Sequence, residues 1–443
     1  MITKAFLLFL FSDSLLIYGL IKSTGKSDWT KSDEIINLPG LSVKPSFRQY
    51  SGFLNIDKGK YFHYWFVESQ RNPAKDPVIL WLNGGPGCSS VIGLLTENGP
   101  FRLMDNGKNL TINNESWNKI ANVVYLESPA GVGFSFSENE KYVTNDDQTA
   151  KDNLAAVLIF FQRFPYFRHN DFYVMGESYA GIYIPMLANL LLKEPNVNFK
   201  GVAIGNGAVD VTSLGTSVIE FLYSHGVIGS SQYSQVTKLC CGSTPIRYCN
   251  ITISKTPACK KMVDFIQSRF HDSGLDPYNL YDVCAYKDKK DVNGLPCVDP
   301  RPARKYFSSY AVRKSLNMPE KSLWDGPCSQ RLNYTGQTST VRGYVTNLVK
   351  AKKRVLIYAG DSDMMCNWLG NLWFVESLGY KEIEPNRPWF YKDPKFGKQI
   401  AGFATIFNGI DFVTVKGSGH FVPQDKPLQA YTMFARYLQE KPY

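Results

Sequence analysis

The chain has 443 residues, with 49 Lys and Arg against 39 Asp and Glu, a formal charge of +10 and nine cysteines. A hydrophobic content of 44% with 20% charged residues excludes a disordered chain or a coiled coil, and the length fits two or three average domains or one large α/β domain with an insertion. The positive charge is scattered: its densest groups, at 287–291 and 350–354, contain acids or adjoin a strand, and no basic stripe interleaved with aromatics is present, so nucleic acid is not an expected partner.

The first segment, 1–21, places Lys4 before an apolar run broken by Asp13. This reads as a signal peptide spanning 1–25, cleaved between Gly19 and Gly25. Asp13 makes it a poor anchor, and no later stretch reaches the roughly 18 apolar residues of a membrane span, so no stable membrane insertion is expected. A strand region follows, with 61–67 its clearest member. Apolar runs at 77–82, 122–126, 172–175, 202–204, 355–358 and 412–415 read as buried strands. Helical patterns fall at 149–164, 181–192 and 427–438. Near-continuous apolar strands between helices predict an α/β fold, its mostly parallel sheet covered on both faces.

Between 210 and 350 this rhythm breaks, which predicts a cap inserted into a core made of 26–209 and 351–443. Cys240, Cys241, Cys249, Cys259, Cys284 and Cys297 crowd there. No C-x-x-C pair occurs and His225 and His271 stand alone, so no metal is expected; no cofactor is expected either. After secretion, disulfides are the default use of cysteine. Sequons at Asn109, Asn114, Asn250 and Asn333 are compatible with the secretory pathway.

The strongest local pattern is Gly176-Glu177-Ser178-Tyr179-Ala180-Gly181 directly after an apolar strand. A serine between a strand and a helix, flanked by small residues, resembles the nucleophile elbow of an α/β hydrolase, although Ala180 replaces the last glycine. That fold requires an acid and then a histidine further along. Asp361 and Asp363 both follow one strand, and His420 follows the last in a glycine-rich turn; His63 lies within a strand and His169 after a helix. His420 would act as general base towards Ser178, with the acid orienting the imidazole. The oxyanion would be met by N–H groups of Tyr179 and of the glycine loop 83–90, which lacks a P-loop lysine.

Together, the segments 81–90, 127–135, 176–181, 204–207 and 419–423 resemble the serine carboxypeptidase family, in order and over nearly all of the chain after 51. The resemblance implies an α/β-hydrolase fold with Ser178, Asp363 and His420 as triad and Asp361 as a structural acid. It implies oxyanion donors at Gly85 and Tyr179, and a site for the substrate's C-terminal carboxylate at Asn83, Gly84, Glu97 and Glu177. Two neighbouring acids do not both ionise readily, so one would donate a proton to that carboxylate, favouring peptide cleavage at acidic pH in a lysosome-like compartment or outside the cell. Phe421, where relatives carry Met, Thr or an acid, would favour a bulky apolar leaving residue, and Cys366 would be a free thiol lining the pocket. The implied bridges are Cys88–Cys328, Cys240–Cys259, Cys241–Cys249 and Cys284–Cys297. Peptides are the implied substrates; a homodimer, an acyltransferase outcome with a small hydroxyl acceptor, and a protective complex with lysosomal glycosidases are further roles that membership would allow.

Overall fold

The structure is a computed structural model that describes residues 29–443 apart from 254–255, 273, 285–294, 320–321 and 325. The signal-peptide reading of 1–25 lies outside the described residues. Ten strands form the main sheet: β1 (Gln49–Asp57), β2 (Lys60–Val67), β3 (Val78–Leu82), β4 (Asn122–Leu126), β5 (Phe172–Ser178), β6 (Phe199–Gly207), β7 (Arg354–Gly360), β8 (Glu382–Asp393), β9 (Gly397–Phe407) and β10 (Ile410–Val415). Their order is β1-β2-β4-β3-β5-β6-β7-β10-β9-β8, and the short strand Phe136–Ser137 pairs with β2 as an eleventh. The six central strands, β4 to β10 in that order, are parallel, and the pairings outside them are antiparallel. This is the open α/β sheet expected from the apolar runs.

Those runs are continuous because both faces are buried and alternate residues serve different cores. Val78, Leu80 and Leu82 of β3 join one apolar cluster, while Ile79 and Trp81 join the other. Four helices cover the first face: α1 (Asp146–Arg163), α2 (Ala180–Leu191), α3 (Arg342–Lys350) and α4 (Trp368–Ser377). The second receives α5 (Pro427–Gln439), whose Phe434 stacks on Trp117 at a centroid distance of 4.1 Å. The start of α1 follows from its sequence: the Asn145 side chain accepts the Gln148 N–H at 2.9 Å, and Asp146 and Asp147 face the positive end of the helix.

After β6 the chain leaves the sheet, and among the described residues it contributes no further main-sheet strand until β7. Helices Val211–Ser224, Ser230–Cys241 and Pro257–Asp272 lie in this excursion, and Ile219, Phe221, Val236 and Ile266 form an apolar cluster there. Cys240–Cys259 and Cys241–Cys249 pin it internally, Cys284–Cys297 closes a later loop, and Cys88–Cys328 ties the excursion to the loop after β3. Cys366 is left as a buried thiol. The excursion also presses on the sheet's end, because Met364 is buried in its cluster and the Leu280 N–H reaches the Ser362 carbonyl at 2.9 Å.

Phe66 is fully buried and meets Phe160, Phe164 and Phe167 edge-on, each at 5.1 Å. Phe66→Ala is expected to remove about 3–5 kcal/mol of stability and to lower the calorimetric melting temperature by about 5 °C or more. The same truncation at Phe396, which is 66% exposed, is expected to leave that temperature unchanged.

Candidate functional site

β5 ends at Ser178 and α2 begins at Ala180, so the serine occupies the turn between them. Its φ of +61° lies in the left-handed region, which is strained for any residue with a side chain. The turn tolerates only small neighbours: a Cβ at Gly176 would run into the Leu82 carbonyl and lie 3.1 Å from the Ala180 Cβ, and one at Gly181 would lie 2.7 Å from the Ala208 N. Ala180 fits in place of the usual glycine because Gly176 opposite it has no side chain. The start of α2 directs its unpaired N–H groups and positive dipole end at this corner.

β3 runs beside β5 with Leu82 paired to Gly176, so the loop after β3 emerges against the serine turn. A Cβ at Gly84 would lie 2.8 Å from the Ser178 Cβ and overlap the Tyr179 N. Gly85 has φ +110°, open only to glycine, and the loop closes on itself through the Cys88 N–H and Gly84 carbonyl at 3.0 Å. Gly84, Gly85, Ser178, Tyr179 and His420 line one cavity of about 350 Å³.

β7 and β10 are parallel neighbours that end with Gly360 opposite Val415, and their following turns bring Asp363 to His420. His420 Nδ1 lies 2.7 Å from Asp363 Oδ2, with both side chains buried. Asp363 also accepts Asn206 Nδ2 at 2.8 Å and the N–H groups of Met365 and Cys366 at 2.9 and 3.1 Å. Asp361 accepts the Gly417 N–H at 2.7 Å instead and faces a different cavity. The excursion after β6 holds the histidine from its other side: the Tyr278 carbonyl accepts the His420 N–H at 2.7 Å, and the Tyr278 ring lies 5.1 Å from the imidazole. Asp425, pushed up to about 6 by burial, accepts the neighbouring Gly419 N–H at 2.7 Å.

Two acids reach the same corner. Glu97 ends a wide helical turn, Gly93–Glu97, a geometry found often at functional sites. Trp81 Nε1 donates to Asn83 Oδ1 at 2.8 Å and so fixes the amide, whose Nδ2 donates to Glu97 Oε1 at 2.9 Å and to Glu177 Oε1 at 2.8 Å. The Oε2 atoms of both acids are buried and meet no donor among the described residues, so Asn83 is the one amide that the two carboxyls share. Burial, and then the charge of Glu97, holds Glu177 well above the usual carboxyl range. Burial raises Glu97 too, against hydrogen bonds from Glu177 and Asn83.

Cys366 and Phe421 line the cavity together with Ile92, Leu103, Val298 and Met365. The sequon residues Asn109, Asn114, Asn250 and Asn333 are all exposed. Sequence reasoning left two neighbours of the site without a role. Asn206 stands in the Gly205-Asn206-Gly207 segment at the end of β6, a signal that was present, whereas nothing local marks Tyr278.

The sheet order, the strained serine after β5 and the acid and histidine turns after β7 and β10 define an α/β hydrolase. A crystal structure of Kex1(delta)p, a prohormone-processing carboxypeptidase from Saccharomyces cerevisiae, is similar in fold, with a TM-score of 0.76 over 93% of this chain and 96% of that one at 23% identity. The serine carboxypeptidase pattern matches residues 39–440, and the chain belongs to that family. It is 41% identical to the lysosomal protective protein of Mus musculus, covering 93% of this chain and 94% of that protein, and 38% identical to a serine carboxypeptidase of Caenorhabditis elegans over the same shares. It is therefore a serine-type carboxypeptidase, a hydrolase.

The acid pair has a consequence for stability. Glu177 in the unfolded chain loses its proton near pH 4.3, whereas the folded protein keeps it to higher pH. Folding stability is thus lost as pH rises above the ordinary carboxyl range. Glu177→Gln removes that titration, so its melting temperature relative to the unsubstituted protein is expected to climb from pH 4.5 to 7, measured by calorimetry.

Proposed function

We propose that the protein releases C-terminal residues, preferably bulky and apolar ones, from peptides at acidic pH through an acyl-enzyme. The observation that carries this reading is the Asn83 amide bridging two buried carboxyls, Glu97 and Glu177, beside Ser178. A peptide's terminal carboxylate docks against Asn83, the Gly84 backbone and the protonated member of the acid pair. This places the last peptide bond over Ser178. Ser178 Oγ attacks the carbonyl carbon while His420 takes its proton, and Asp363 holds the imidazole with Nδ1 as donor. The N–H groups of Gly85 and Tyr179 meet the oxyanion. His420 then protonates the leaving amine, and water, activated by the same imidazole, resolves the ester.

The acid pair sets the pH dependence. While one carboxyl holds its proton it donates to the substrate. Once pH rises through the raised range both carboxyls turn anionic and repel the incoming carboxylate, so KM climbs. Paired cysteines and a relative named for the lysosome support passage through the secretory pathway to an acidic, lysosome-like compartment or to the exterior. The apolar lining contributed by Phe421, Leu103 and Met365 supports the preference for a bulky apolar residue.

Three measurements test the reading. Ser178→Ala is expected to lower kcat for a blocked dipeptide by at least about 10³-fold. Glu97→Gln with Glu177→Gln is expected to flatten the rise of KM between pH 5 and 7.5; an unchanged pH profile would count against the acid pair. C-terminal Phe and Leu are expected to leave faster than Arg and Lys, and faster Arg release would overturn the assignment of Phe421.

A further inference from the structure

A second buried polar cluster lies behind the loop after β3, outside the substrate cavity. Its centre is Glu127, which follows β4 and is wholly buried, as is His63 in β2. Four groups converge on this one side chain. Oε1 accepts the Ser89 hydroxyl and Trp324 Nε1, the latter at 3.3 Å, while Oε2 accepts the Phe134 N–H and meets His63 Nδ1, both at 2.8 Å. On its far side the imidazole meets Ser51 Oγ at 2.9 Å, and that hydroxyl donates to the Leu316 carbonyl at 2.7 Å. A Cβ at Gly133 would collide with the carboxyl, so the backbone is shaped around it. Only a carboxylate offers acceptors to all four; an amide would aim its N–H groups at two of the donors. Neither Glu127 nor His63 lines the cavity, whereas Ser89 does.

Ser89 closes the loop that carries Gly85. Its N–H donates to the Pro327 carbonyl at 2.7 Å, the adjacent Cys88 is bonded to Cys328, and Ser90 Oγ accepts the Asn83 N–H at 3.1 Å. The loop's backbone is thus held on one side by the excursion after β6, and its side chain is held on the other by Glu127. We propose that Glu127 is a positioning residue that acts through Ser89 to fix the Gly85 N–H against the developing oxyanion. This rests on the reading of Gly85 as an oxyanion donor. Because the Glu127 carboxyl also holds Trp324 and, through His63 and Ser51, the Leu316 carbonyl, the excursion and the loop are set by one group.

The test compares Ser89→Ala, Glu127→Gln and their combination on the full chain, with active sites counted by titration with an organophosphonate. Each single variant is expected to lower kcat per titrated site about tenfold, less than direct loss of an oxyanion donor, with KM changed by less than about twofold. Phosphonylation of Ser178 should slow in parallel, while inhibition by a carboxylate-bearing product analogue stays constant. The double variant should be no worse than Glu127→Gln alone by more than about twofold, because the contact that Ser89→Ala removes is already disturbed in that single variant. Full kcat per titrated site in Ser89→Ala, whatever the melting temperature, overturns the proposal. So does an impaired Ser89→Ala beside an unimpaired Glu127→Gln, which would assign Ser89 a direct role. Undiminished activity in Ser178→Ala would instead overturn the acyl-enzyme reading, and with it the oxyanion that Gly85 is read as meeting.

Discussion

Two strands ending side by side govern the site. Leu82 of β3 pairs with Gly176 of β5, so the loops leaving both strands emerge in contact, and the absence of a side chain at Gly84 lets one backbone rest on the other. A single methyl group at that point would push the Asn83–Gly85 segment away from Ser178 and Tyr179. The strained serine, the glycine loop and the acids Glu97 and Glu177 all take their positions from this one approach. β7 and β10 repeat the arrangement a few strands away and deliver Asp363 to His420.

Much of this was legible in the amino-acid order, for a physical reason. Strands buried on both faces cannot alternate, so β3, β4, β5, β7 and β10 stood out as apolar runs, and the chemistry of an α/β sheet gathers in the turns directly after them. Ser178, Asp363 and His420 each sit in such a turn. The β8–β9 hairpin was not legible, because β8 is exposed or half-buried except at Trp389 and carries Pro385 and Pro388, which blur a strand signal. Helices α3 and α4 were missed as well. Glu97 had no local mark; it reaches Asn83 through a wide turn made possible by Gly93, and only the family resemblance pointed to it. Choosing between Asp361 and Asp363 likewise required either that resemblance or the observed contact with His420.

Buried acids occur here in two opposite settings, which differ in the donors around them. Asp363 receives Asn206, two backbone N–H groups and the imidazole. Glu97 and Glu177 share a single amide, so their second oxygens can be satisfied only by a proton. Glu177 and His420, the partners of these two settings, line one cavity of about 350 Å³.

The bond between Cys88 and Cys328 spans 240 residues of sequence. During synthesis the serine turn and the glycine loop emerge early, but the partner that staples the loop, the acid at 363 and the histidine at 420 all arrive much later. A nascent chain therefore carries the Ser178 turn without the residues that later meet it, and a loop without its anchor. The corner around Ser178 is therefore closed only by residues made long after it, and the last of them, at 420, lies close to the end of the 443-residue sequence.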